Sequence, residues 1–305
     1  MGYALQDIGM FPCCSSVVQR AVDDHEFFFF EATRFVIMNE RHLSANRSMW
    51  DERVPTHVDS TFYDVPRFIE GGSHLYPFEL EEVGSVEGLS LLHLQCHFGL
   101  DTLSWARAGA AVTGLDFSKP AIDAARDIAA RCGIDARFEV GEVHDAPEIL
   151  GRKYDILYTG RGALCWLPDM ARWAETASRL VKPGGLLYLS EFHPITDIFS
   201  DDELAVENNY FDHGIPFEDH SGCTYTDGDL PRKHVVDFTW THPVSSVINA
   251  LLKSGFTLER FEEHEFTAFN RFPGLVHDEK ARVYRFPEGE PSIPLMYSTR
   301  LRLPA

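Results

Sequence analysis

Leu91, Leu92 and Leu94 make a short apolar run that predicts a buried parallel strand, and Leu100, Leu103 and Ala106 follow at helical spacing on one face. Gly109 stops that helix, after which Ala111, Val112 and Leu115 form a second buried strand whose carboxyl end delivers Asp116. Strand, loop, helix and strand together fill the roughly 30 residues of a βαβ unit. The pattern then repeats: residues 137–140 read as a third strand and 154–158 as a fourth. A helix capped by Asp169 follows, with Met170, Trp173, Ala174, Ala177, Leu180 and Val181 on one face. Residues 186–191 make a fifth strand after the turn Lys182-Pro183-Gly184-Gly185. Further on, Pro243 opens a helix bearing Val244, Val247, Ile248, Leu251 and Leu252, which Gly255 ends. Strands at 256–264 and 295–301 close the series, separated by a long loop.

Strands alternating with helices predict an α/β sheet whose ligand crevice lies beyond the carboxyl ends of the strands. Asp116 follows the first loop by about 20 residues, the usual place for an acid that accepts hydrogen bonds from ribose hydroxyls. An adenosine-containing cofactor is therefore the leading inference. The loop itself, Gln95-Cys96-His97-Phe98-Gly99, holds one glycine. It lacks the G-x-G-x-x-G run by which backbone amides approach a pyrophosphate.

This loop, the acid at 116 and the Lys182-Pro183-Gly184-Gly185 turn resemble the class I S-adenosylmethionine-dependent methyltransferases, and in particular a small-molecule subgroup that carries Gln-Cys-His-Phe-Gly itself. In the wider family the first motif reads acid-x-Gly-x-Gly-x-Gly. Here Gly99 matches, His93 stands where the acid would be, and Gln95 and His97 stand where the first two glycines would be. The resemblance covers about residues 88–195. It implies a Rossmann-like doubly wound seven-stranded sheet of order 3-2-1-4-5-7-6, last strand antiparallel, with a lid insertion after the fifth strand. It implies S-adenosyl-L-methionine as cofactor and methyl transfer to a small-molecule substrate as the reaction. Asp116 would hold the ribose, Glu142 the adenine amino group and Val143 the ring. Gln95 and His97 would touch the methionine end, Thr159-Gly160-Arg161-Gly162 would form the crevice floor, and Trp50, His57 and Tyr63 would lie near the sulfonium. His193, just past the fifth strand, is the best-placed general base. An NAD(P)-dependent reductase is the competing reading, and a chain that binds the cofactor without turnover is a third.

Residues 1–37 look like an addition to the fold, either a disordered tail or a segment read from upstream of a start at Met38, with a helix packed on the body as the structural alternative. Residues 38–305 then form the catalytic domain. Within it, 42–70 is a cap resembling the amphipathic segment that closes over the cofactor in small-molecule methyltransferases. The stretch 195–235, with Phe199, Tyr210, Phe211, Phe217 and Tyr225 among many acids, suits an insertion that covers substrate.

Charge narrows the partners. With 47 acidic against 27 basic residues the net charge is −20, which opposes the phosphate neutralisation that dominates nucleic-acid binding. No nucleic acid and no membrane partner is expected, since the run at 27–30 is too short for a span. The six cysteines (13, 14, 96, 132, 165 and 223) form no C-x-x-C pair, and His213, His220, His234 and His242 lack metal spacing. No metal is expected, and a reducing cytoplasm suits the thiols.

Overall fold

The computed structural model describes residues 24–200, 204–220, 224–227, 233–234 and 236–305, with side chains from Glu40 onward. The chain divides into two compact units, Met1–Glu40 and Arg41–Ala305. Of the expected leader, residues 1–23 lie outside the described residues, and 24–37 belong to a helix that starts at Asp24. Among the described residues the helices, in chain order, are α1 Asp24–Asp59, α2 Val65–Ile69, α3 Pro77–Val83, α4 Leu100–Arg107, α5 Lys119–Cys132, α6 Ala146–Leu150, α7 Met170–Leu180 and α8 Val244–Lys253. The strands are β1 Ser90–Leu94, β2 Ala111–Asp116, β3 Arg137–Val140, β4 Tyr154–Thr159, β5 Val181–Phe192, β6 Phe217–Asp219, β7 Asp237–Thr239, β8 Thr257–His264, β9 Phe266–Thr267, β10 Val276–Asp278, β11 Val283–Arg285 and β12 Met296–Arg302.

Seven strands form one sheet in the order β3-β2-β1-β4-β5-β12-β8. Counting only the strands of this sheet, β8 is sixth and β12 seventh in chain order, which is the expected 3-2-1-4-5-7-6 order. β12 runs antiparallel to both β5 and β8, while β1 to β5 pair in parallel. A strand buried on both faces is largely apolar, with any polar side chain hydrogen-bonded, and its side chains alternate between two cores. β1 does so. Leu92 and Leu94 pack with Trp173, Ala177 and Leu187, whereas Leu91 packs with Trp105, Val112 and Tyr188 on the other face. α7 and α8 cover the first face, and α3 and α4 contribute to the second.

The structure corrects two boundaries. Residues 182–185 do not precede the fifth strand. Tyr154 pairs with Val181 and Ile156 with Leu186, so these four residues bulge out inside β5 opposite Asp155. Gly184, at φ 75°, takes the left-handed conformation there, and its N–H donates to Leu303 O at 2.8 Å. The long loop expected between β8 and β12 also holds β9, β10 and β11, which form a small antiparallel sheet of order β10-β11-β9. The insertion after β5 carries the β6–β7 pair, and Asn46 of α1 binds β7 as a strand would: its amide donates to Phe238 O and accepts from Phe238 N, both at 2.8 Å.

Gly114 in β2 shows how tightly the sheet meets the loop after β1. A Cβ there would stand 2.7 Å from the Phe138 ring and 2.8 Å from Cys96 Sγ. Gly114→Ala is expected to lower stability by about 1 to 3 kcal/mol through overpacking, read as a lower denaturant midpoint with unchanged slope. An unchanged midpoint would mean that Phe138 and Cys96 yield freely.

Candidate active site

β1 ends at Leu94, and the chain must turn sharply to start α4 at Leu100. It turns by placing alternate residues in the left-handed region: Gln95 at φ 56°, His97 at φ 51° and Gly99 at φ 77°. The positions at which the wider family uses glycine thus keep the backbone that glycine favours, with side chains attached. Each non-glycine residue in that region costs on the order of 1–2 kcal/mol. Contacts hold the loop against that cost. His97 N donates to Asp116 Oδ2 at 2.7 Å, Cys96 N to Leu115 O at 3.0 Å, and Gly99 N to Cys96 O at 2.9 Å. The side chains bind outward as well: Gln95 Nε2 donates to Ala163 O at 2.8 Å, and His97 Nε2 shares a hydrogen bond with His57 Nδ1 of α1 at 3.0 Å.

Beyond the carboxyl ends of β1, β2 and β4 lies a cavity of about 760 Å³. Asp116 stands on its wall, where its Oδ1 also accepts from Ser118 N at 2.9 Å. Ser118 caps α5 and donates to Asp51 of α1 at 2.6 Å. Burial pushes the Asp116 pKa up to about 6 in spite of both backbone amides. Glu142 and Val143 form the wall after β3. The Glu142 carboxylate accepts the Val143 amide at 2.9 Å, and burial raises its pKa. Burial, with the charges of His57 and Arg53, keeps His97 well below the usual histidine range, so its ring is neutral. His93, at the position of the family's acid, is likewise neutral, pushed by burial to about 3, and bonds Thr102 Oγ1 at 2.8 Å.

Of the residues singled out from the sequence, Tyr63, Gln95, His97, Gly99, Asp116, Glu142 and Val143 all line this one cavity. Thr159 and His193 are not on its wall. Thr159 is fully buried with its hydroxyl donating to Leu94 O at 3.4 Å. His193 caps the helical turn Pro194–Ile198: its Nδ1 accepts from Ile195 N at 3.1 Å, and its Nε2 faces Glu263 Oε1 at 3.1 Å. Glu191 next to it holds the loop at the cavity floor, accepting the amides of Gly162, Ala163 and Leu164. Burial raises its pKa to about 7 against those donors.

Several wall residues carry no role that the sequence assigned. Arg161 donates to Glu79 Oε2 and Asp101 Oδ2, both at 2.7 Å, and links α3, α4 and the end of β4. His74, Phe269, His277, Arg282 and Tyr284 complete the wall, the last four from the segment around β9 to β11. Arg161 lies in the strand-end segment expected to form the crevice floor, and that position was the available signal. Trp50, Tyr63 and Tyr225 close the opposite side, with the two tyrosine hydroxyls 2.6 Å apart.

The substitutions Gln95→Gly and His97→Gly, made together, separate backbone from side chain. Glycine relieves the left-handed strain but removes two side-chain hydrogen bonds of about 1 kcal/mol each and adds unfolded-state entropy of roughly 0.5–1 kcal/mol per site. The expected result is native far-UV circular dichroism with about tenfold weaker binding of S-adenosylmethionine, measured by calorimetry. Tighter binding would mean that the loop works through its backbone alone.

Residues 92–187 match the family model described as a methyltransferase domain. The chain is 32% identical over 137 residues to a ubiquinone biosynthesis O-methyltransferase of Sodalis glossinidius, covering 44% of this chain and 55% of that protein. It is 31% identical over 159 residues to the protein of the same name from Proteus mirabilis, covering 50% and 64%. The chain thus spans rather more than half the length of these curated relatives. The solved structure of an S-adenosylmethionine-dependent methyltransferase from Clostridium acetobutylicum superposes with a TM-score of 0.51 at 12% identity, covering 82% of this chain and 95% of that one, a likeness of fold. Sheet order and matched segment agree: residues 92–187 match a methyltransferase domain, set in a sheet with the strand order of the Rossmann-like methyltransferase fold.

Proposed function

We propose that this chain transfers a methyl group from S-adenosylmethionine to a small organic acceptor. The observation that carries the reading is the convergence of Asp116, Glu142, Val143 and the 95–99 loop on one cavity at the ends of β1, β2 and β3. Two features of that wall fit the cofactor. The buried Gln95 Oε1 lacks a hydrogen-bond partner, an acceptor awaiting a donor. Asp116 spends one lone pair of each oxygen on backbone amides and keeps acceptor capacity for ribose hydroxyls.

S-adenosylmethionine, when bound, supplies a methyl carbon already activated by its sulfonium. The chain's part is then to bind, orient and exclude water. Asp116 and Glu142 orient the nucleoside by hydrogen bonds, and Val143 offers it an apolar face. Trp50, Tyr63, Phe192, Tyr225 and Phe269 line the remaining wall with aromatic rings, which suits a flat organic acceptor and keeps bulk water away. Proton removal from the acceptor is not assigned to His193, whose Nδ1 lone pair already takes the Ile195 amide. The O-methyltransferase name of the curated relatives supports a small organic acceptor. The net charge of −20 argues against a nucleic-acid acceptor. Free Cys96, Cys132 and Cys165 suit a reducing compartment and support a cytoplasmic site of action. Among the described residues no helix is long and apolar enough to cross a membrane.

The test is two-stage. S-adenosylhomocysteine should raise the melting temperature by several degrees while NAD leaves it unchanged, as selective binding to the native state requires. Methyl-labelled S-adenosylmethionine, incubated with the chain and a metabolite extract, should then label a small-molecule fraction. A shift with NAD alone would overturn the cofactor reading. A shift with S-adenosylhomocysteine but no labelled product from any extract would leave a binding protein rather than an enzyme.

A further inference from the structure

The β10–β11 hairpin brings to the cavity wall a guanidinium that no carboxylate neutralises. β8 ends at His264 and β12 begins at Met296, and Met296 pairs with both His264 and Phe192 at the end of β5. The segment between them therefore springs from the β5 side of the sheet, across β1 and β4 from Asp116 and Glu142. It brings Arg282, His277 and Tyr284 to the wall, the last two with ring centroids 4.5 Å apart. Arg282 stands at φ 59°, a left-handed conformation that glycine takes more easily than arginine, so what the residue adds at this turn is its side chain.

Arg282 Nη1 donates to Ser73 O and Nη2 to Leu75 O, both at 3.0 Å, and its guanidinium carbon lies 5.4 Å from the centroid of the Tyr76 ring. Carbonyls and a ring face stabilise a cation without cancelling its charge. Among the described residues no carboxylate oxygen comes within 4.0 Å of that guanidinium, nor of the exposed Arg67 guanidinium on the same wall. Arg161, 4.8 Å from the centroid of the same Tyr76 ring, differs, because Glu79 and Asp101 both pair with it at 2.7 Å. The remaining acids of the wall bind backbone amides: Asp64 that of Arg67, Asp116 those of His97 and Ser118, Glu142 that of Val143, and Asp227 those of Thr61 and Phe62. Burial, with the charges of Arg161, Arg282 and Arg67, pushes His74, which lies between the two carbonyl partners, down to a pKa of about 4. Three guanidiniums against the two carboxylates that Arg161 holds leave this corner positive, and a half-buried charge of that kind is costly until an anion meets it.

We infer that Arg282, together with Arg67, anchors a carboxylate carried by the methyl acceptor, so that the acceptor is a flat organic acid. The planar fork of a guanidinium matches a carboxylate through parallel N–H···O bonds, and the rings of Phe192, Phe269 and Tyr284 on the same wall suit the body of such a molecule. That the carboxylate belongs to the acceptor rests on the methyltransferase reading; the anion site itself rests on the unpaired guanidiniums.

Ligand-observed NMR titrations with benzoate, and with benzamide as its uncharged counterpart, test the site in the wild-type chain, Arg282→Gln, Arg282→Lys and Arg67→Gln, each with and without S-adenosylhomocysteine. Benzoate is expected to bind the wild type about fivefold or more tighter than benzamide, to lose about fivefold in Arg282→Gln and about twofold in Arg67→Gln, and to stay within about threefold of wild type in Arg282→Lys, which keeps the charge. Benzamide, S-adenosylhomocysteine and 5′-methylthioadenosine bind all four proteins alike. Should Arg282→Gln fail to fold, Arg67→Gln and Arg282→Lys decide by the same criterion, benzoate weakened in the first and held in the second. A wild type that does not prefer benzoate, no loss of benzoate in the glutamine variants, or equal loss of benzoate and benzamide, as a purely structural clamp would give, overturns the inference. So does a loss of S-adenosylhomocysteine with 5′-methylthioadenosine unchanged, which would assign the charge to the cofactor's carboxylate. A wild-type chain that binds benzoate as expected but no S-adenosylhomocysteine refutes the methyltransferase reading and leaves the anion site standing.

Discussion

The Asp116 carboxylate is the joint on which the rest of the site depends. It stands at the end of the second strand, 6% exposed, and binds the amides of His97 and Ser118. One bond holds the loop after β1 in its left-handed course, and the other sets the start of α5, whose cap reaches Asp51 of α1. Strain at Gln95 and His97 persists because this carboxylate, with Ala163 and His57, over-determines the loop. The same group is then offered to the cavity as an acceptor.

The joint comes at an electrostatic cost. A buried carboxylate with a pKa near 6, against an ordinary value near 4, takes up its proton more readily folded than unfolded. The sign follows directly. The stability this group contributes is largest below the unfolded value and falls as pH rises from about 4 to about 6. Above that window the ionised form carries a constant cost of order 3 kcal/mol. Donors arriving from a ligand offset that cost, which makes Asp116 a group whose ionisation and whose occupancy are coupled. Glu191, raised to about 7 while holding the floor loop, obeys the same rule at the other edge of the cavity.

What the sequence disclosed came from periodicity for the elements and from the family resemblance for the site. Apolar runs at 91–94, 111–115 and 154–158 and the apolar face of α7 point to the strands and helices, while the strand order and most of the seven wall residues come from the family resemblance. The small sheet of β9, β10 and β11 was not legible, because strands of two or three residues owe their pairing to tertiary contacts such as Arg282 bonding Ser73 O and Leu75 O. The Arg161–Glu79–Asp101 cluster was hidden for a related reason: its members lie 60 and 82 residues apart, and each alone reads as an ordinary surface charge. His193 was drawn toward catalysis by its place after the fifth strand, where the structure shows a helical-turn cap.

The central claim, that Asp116 both clamps the loop and receives the nucleoside as a carboxylate, is tested most directly by the pH dependence of S-adenosylhomocysteine affinity between pH 5 and 8, in the wild-type chain and in Asp116→Asn. The account predicts a flat affinity above pH 7 that falls below about pH 6, approaching tenfold per pH unit as the carboxylate protonates. In Asp116→Asn the affinity is weaker and this fall is absent. Wild-type affinity independent of pH over that range, or the same fall in both proteins, would contradict it.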